Sequence, residues 1–184
     1  MSQPSRRNFL KLTGSAAATI WLADLEAVRS AGLYASTADS FLVLSPADAT
    51  DIEAACAQII PTDDTPGARE AKVVYFIDKA LDTFARDRRT VMVDGARLLR
   101  TKAAAIKRGT RTFADLPDDL QVAVLQSMEK DKVPFFEELR GATIAGMLAS
   151  PEHGGNFEKI GWTLIGFEDR FVWTAPFGWY DRDA

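Results

Sequence analysis

The chain has 184 residues, 47% hydrophobic and 26% charged, with a formal net charge of -4. Such a balance fits a soluble globular protein, and the length supports one domain with a real core. The four basic and two acidic side chains of residues 1–31 taken away, the remainder carries -6, an acidic body without a basic stripe that argues against nucleic acid as a partner. One cysteine, Cys56, allows no intrachain disulfide, and one histidine, His153, makes no metal site without several other ligands.

The first stretch is Ser5-Arg6-Arg7-Asn8-Phe9-Leu10-Lys11, followed by a weakly apolar run from Leu12 to Ala23. A basic head, a short apolar middle and a polar stretch of small residues form the layout of a twin-arginine export signal, with Arg6, Arg7, Phe9 and Leu10 as its signature. The run falls short of the roughly 20 apolar residues that a membrane-crossing helix needs. That export route carries folded chains, so the expected location is the periplasm. The cleavage point is open between Val28-Arg29-Ser30 and Ser36-Thr37-Ala38. No clean Ala-x-Ala follows the apolar run, which also leaves room for a retained leader acting as an anchor or arm. Residues 1–38 are assigned to signal and linker, and 39–184 to a single helical domain. Asp39 to Leu44 reads as a leading strand or as irregular chain.

Ser45-Pro46-Ala47-Asp48 predicts a helix start, with Ser as cap, Pro in the first turn and an acid at the positive end of the dipole. Ile52, Ala55, Cys56, Ile59 and Ile60 then share one face, on which Cys56 reads as a buried small hydrophobe, with a disulfide to another subunit as the alternative. Pro61 to Gly67 breaks the helix, and Thr65-Pro66 predicts the next start. Asp63 and Asp64 are adjacent acids in a turn, a setting in which carboxylates bond local backbone amides. Val73, Val74, Phe76, Ile77, Ala80, Leu81 and Phe84 form the second helix's stripe, and the basic cluster Arg86 to Arg89 reads as a solvated end. A third helix is expected from Thr90 to Arg108, stopping at Gly109, with a wet face of Arg97, Arg100, Lys102, Lys107 and Arg108. Fourth and fifth helices open at Leu116-Pro117-Asp118 and at Pro134. The fold expected is all-α, about five helices in a bundle-like domain.

Past Ser150 helical periodicity stops. Ser150-Pro151-Glu152-His153-Gly154-Gly155-Asn156 reads as a turn-rich loop. Three of the four tryptophans follow it, and Trp162, Phe167, Trp173 and Trp179 with the intervening Gly and Pro read as an irregular aromatic tail. Such a tail covers its own helices or offers anchors to a partner. The chain has no Gly-x-Gly-x-x-Gly fingerprint and no Cys-x-x-Cys-His haem motif, and its sequence sets no nucleophile beside a base. No cofactor site is therefore expected in this chain. A stand-alone periplasmic carbohydrate-binding or enzymatic module is the alternative, in which Trp and Tyr stack on sugars and Glu152, Asp63 and Asp64 supply carboxylates.

Two blocks resemble one family, the small third subunit of gluconate 2-dehydrogenase and its relatives. The first is Ile59-Ile60-Pro61-Thr62-Asp63-Asp64-Thr65-Pro66-Gly67-Ala68-Arg69-Glu70-Ala71, running into Val74 to Asp78. The second is Pro151-Glu152-His153-Gly154-Gly155-Asn156, then Gly161-Trp162 and Ile165-Gly166-Phe167. The resemblance spans about residues 45–167, and the twin-arginine leader fits it. His153 stands where the family commonly has tyrosine, and Glu168 where it often has Pro-Gly. The resemblance implies a non-catalytic helper that supports folding, flavin loading and export of a large dehydrogenase of the glucose-methanol-choline type. It places FAD in that partner and haem c in a membrane-bound cytochrome c subunit, and makes the twin-arginine translocase a further partner. On this reading His153, Gly154, Gly155, Asn156, Trp162, Phe167, Trp173 and Trp179 are the candidates for the partner contact.

Overall fold

The computed structural model describes residues 41–170 and 172. The predicted export signal with Arg6, Arg7, Phe9 and Leu10, and the tail tryptophans Trp173 and Trp179, lie outside them. The described residues form six α-helices and no strand: α1 (Pro46–Ile59), α2 (Val73–Asp82), α3 (Arg89–Ile106), α4 (Asp118–Lys130), α5 (Pro134–Leu148) and α6 (Ile160–Ile165). The all-α expectation holds, with a sixth, short helix in the segment expected to be irregular.

Helix α5 is the centre. Ten of its fifteen residues are buried, from Phe135 to Met147, and a helix apolar on most sides belongs in the interior. It packs against α1, α2, α3 and α4, and α6 lies on its C-terminal half. The approach to α3 is close because Gly95 has no side chain: a Cβ there would overlap the Phe135 ring. Helix α1 starts as its sequence predicts. The Ser45 hydroxyl accepts the Asp48 amide at 3.2 Å, Pro46 fills the first turn, and Ile52, Ala55 and Cys56 face the core.

The turn from α1 to α2 departs from expectation. Helix α2 begins at Val73 and not at Pro66. Residues 68–72 make a single turn closed by Val73 N–H to Ala68 C=O (3.1 Å) and Lys72 N–H to Arg69 C=O (3.0 Å), with Lys72 left-handed at φ 53°. That is a Schellman closure, which ends a helix before the next one can start. Glu70 braces the turn by accepting the Gly67 amide at 2.8 Å and the Thr62 hydroxyl at 2.7 Å. Asp63 accepts the Thr65 amide at 3.0 Å, the local bond expected of it.

Two polar ties went unforeseen. Arg100, expected on a wet face, reaches from α3 to Asp48 (2.7 Å) and Asp51 (2.8 Å) of α1. Asp51 is fully buried and also accepts the Phe113 and Ala114 amides at 2.7 and 3.2 Å, so one carboxylate joins α1, α3 and the turn ahead of α4. Burial pushes Asp51 above the ordinary carboxylate range against the pull of Arg100 and those amides. Burial would also raise Asp48, but bonds from Ser45 and Arg100 outweigh it and hold the group low. Nor is the basic end of α2 simply solvated. Arg88 bonds Glu138 of α5 at 2.9 Å, and Arg89 caps α2 by donating to the Leu81 carbonyl at 2.6 Å.

Candidate functional site

The two sequence blocks singled out above, some ninety residues apart, meet in space. The Phe157 amide donates to the Ala71 carbonyl at 3.2 Å, and the Lys72 ammonium sits 3.6 Å above the Phe157 ring. Lys79 of α2 donates to the Glu152 carbonyl at 2.8 Å. Gly154, at φ 98°, lies against the backbone of Tyr75. A Cβ at Gly155 would overlap the Gly146 carbonyl oxygen of α5. The paired glycines therefore let the 151–156 loop lie directly on the backbones of α2 and α5.

Asn156 holds this arrangement. Its side chain is completely buried and its backbone is left-handed at φ 46°, a conformation asparagine tolerates better than most residues. Its Nδ2 donates to the Ala149 carbonyl at 2.9 Å, and its Oδ1 accepts the Gly161 amide at 2.7 Å, with the Trp162 amide at 3.4 Å. The end of α5 and the start of α6 are thus tied through one side chain. Gly161 completes the fit, since a Cβ there would overlap the Met147 carbonyl oxygen. Trp162, half-buried, donates its indole N–H to the Leu148 carbonyl at 2.8 Å and meets the Phe167 ring edge-on at 5.1 Å.

The structure thus brings His153, Gly154, Gly155, Asn156, Trp162 and Phe167 into one segment, with different degrees of burial. His153, Gly155 and Asn156 are buried, and Gly154 and Trp162 are partly covered. Phe167 is exposed, as are Tyr75, Phe157, Ile165 and Val172. Sequence reasoning passed over Tyr75, Phe157 and Ile165 as surface groups, because helical spacing marks a face and does not say whether another element covers it. It also passed over Asp78. This buried carboxylate on α2 accepts the amides of Leu42, Val43 and Leu44 at 2.7, 2.9 and 2.9 Å. The irregular strap so fixed lays Phe41 on Tyr75, ring centroids 5.1 Å apart. An aspartate inside the apolar run Phe76-Ile77-Asp78 was the available signal.

Chemically reactive groups here are quenched by burial. Cys56 receives the Thr143 hydroxyl at 3.2 Å, and burial pushes its thiol up to about 12, so the nucleophilic thiolate is not populated near neutral pH. His153 is held below its ordinary value by burial, with Glu152 pulling upward and Lys79 pushing further down. Its Nδ1 has no hydrogen-bond partner among the described residues. Among those residues no group of three His, Cys, Asp or Glu is placed to hold a metal, and no helix is long and apolar enough to cross a membrane.

The family model for gluconate 2-dehydrogenase subunit 3 matches residues 46–169. The chain belongs to that family. The match begins at the first residue of α1 and takes in all six helices and the loop held by Asn156. By membership this subunit-3 chain is an accessory member of a multi-subunit dehydrogenase. Comparisons with curated proteins and with solved structures gave no match.

Proposed function

We propose that this subunit-3 chain is a non-catalytic partner that supports folding, flavin loading and twin-arginine export of a large flavin-dependent sugar or polyol dehydrogenase. The observation that carries the reading is the family match together with what the second sequence block does. Its buried members tie the loop to α2, α5 and α6, while Phe157, Ile165 and Phe167 of the same block stay exposed. These are the side chains that the proposed partner would cover, aromatic residues being common anchors at interfaces. The large subunit, of the glucose-methanol-choline type, carries FAD, and a membrane-bound cytochrome c with haem c takes its electrons. Arg6, Arg7, Phe9 and Leu10 send the assembled pair through the translocase into the periplasm.

The reading is tested in cells. An Arg6→Lys, Arg7→Lys double variant leaves both this chain and the dehydrogenase activity in the cytoplasm. Periplasmic dehydrogenase activity undiminished in that strain refutes the carrier role.

A further inference from the structure

The end of α3 stands apart from the rest of the surface. Every residue from Ala104 to Gly109 is exposed, so the last turn of the helix projects from the body. A Cβ added at Gly109, where φ is 90°, meets nothing within 4 Å. Ile106 keeps 47% of its surface in water at this projection. Lys107, Arg108 and Arg111 follow it in sequence, and residues 104–111 hold no acid in a chain of net charge -4. Most arginines of the body have a carboxylate partner, as Arg88, Arg89, Arg97, Arg100 and Arg140 do. Among the described residues none lies within 4.0 Å of Lys107, Arg108 or Arg111. The acid that feels Arg111 is Asp115, whose carboxylate is engaged by the Thr112 amide at 3.1 Å.

Complementing the helix dipole accounts for Lys107 and Arg108 at a C-terminus. It does not account for an exposed isoleucine next to these cations in sequence, with Arg111 beyond the helix. We infer that the projecting end of α3 is a contact site for an anionic lipid surface. Ile106 enters the headgroup layer, and Lys107, Arg108 and Arg111 meet lipid phosphates, the pattern by which peripheral proteins combine apolar insertion with charge attraction. The inference does not rest on the proposed dehydrogenase partner, since lipid binding is read on the chain alone.

The test is sedimentation of the full chain with vesicles of phosphatidylglycerol and phosphatidylethanolamine, against vesicles of phosphatidylcholine, at about 0.1 M salt. Binding to the anionic vesicles is expected to fall about 25-fold in a Lys107→Gln, Arg108→Gln variant, at about fivefold per cation. Ile106→Ser is expected to weaken it about tenfold. A charge-matched Arg69→Gln, Lys159→Gln variant stays within about threefold of the parent, because charges away from the contact are screened. All these positions are exposed, and unchanged thermal unfolding confirms that the variants are folded. Equal loss in the tip and control variants, or equal binding of the parent to phosphatidylcholine, overturns the assignment. So does displacement of the parent from the vesicles by soluble polyphosphate with Ile106→Ser binding like the parent, which would make the tip a general polyanion site.

Discussion

Replacing Asn156 with alanine removes the tie between α5 and α6 and leaves its partners in place. The Ala149 carbonyl and the Gly161 amide lose bonds of 2.9 and 2.7 Å in a site with no exposure. Each buried group left unpaired costs about 1–3 kcal/mol. Alanine must also take the left-handed backbone of residue 156, at φ 46°, for about 1 kcal/mol more. The docked loop should therefore lose about 3 kcal/mol or more. Because the loop lies at one end of the fold, the loss is seen first as local opening, and global unfolding falls only by the free energy with which the loop is docked. Urea unfolding together with amide exchange at Gly161 and Trp162 separates the two. Asn156→Gly, free of the backbone strain, should recover about 1 kcal/mol of the alanine deficit. An Asn156→Ala protein within about 0.5 kcal/mol of the parent, with Gly161 exchange unchanged, would refute the reasoning, since surface-like substitutions fall in that range.

Arg100→Ala leaves buried Asp51 without its cation and should destabilise by about 3–5 kcal/mol in denaturant unfolding, more than the loss of any exposed ion pair here. Stability should fall on acidification below the ordinary histidine value of 6.5, because folding depresses His153 and the unfolded chain binds the proton first. That contribution is fully present above pH 6.5 and is lost as pH drops through the depressed folded value, so His153→Gln should flatten the slope in that window. Cys56 should react with a maleimide only as the chain opens, and labelling at the rate of a free surface thiol would contradict its burial.

The sequence made the helical frame legible where an apolar stripe ran for three turns or more. Helices α1, α3, α4 and α5 lie close to their expected bounds, and the cap Ser45-Pro46 behaves as its chemistry requires. The same Thr-Pro logic misplaced the start of α2 by seven residues. It treats a cap as sufficient, whereas the Glu70 brace and the left-handed Lys72 set the turn from a distance. Helix α6 has six residues, under two turns, too few to show a period. Periodicity placed Arg100 on the polar side of α3 but could not say that a buried Asp51 faces it from another helix. For the candidate site, composition identified the loop and its aromatics. That Asn156 turns inward while Phe157 turns outward depends on left-handed backbone angles at 156 and 158, which single residue types only permit. The contact of the two blocks through Ala71, Lys72 and Phe157 is a tertiary fact with no local signature.

The central claim is that this subunit-3 chain works as the partner of a flavoprotein. Its most direct test is affinity capture of the tagged chain from periplasm and membranes, with an absorbance spectrum of the eluate. The account predicts a co-eluting chain of flavoprotein size and the absorption bands of bound flavin. A colourless, monodisperse single chain would contradict it.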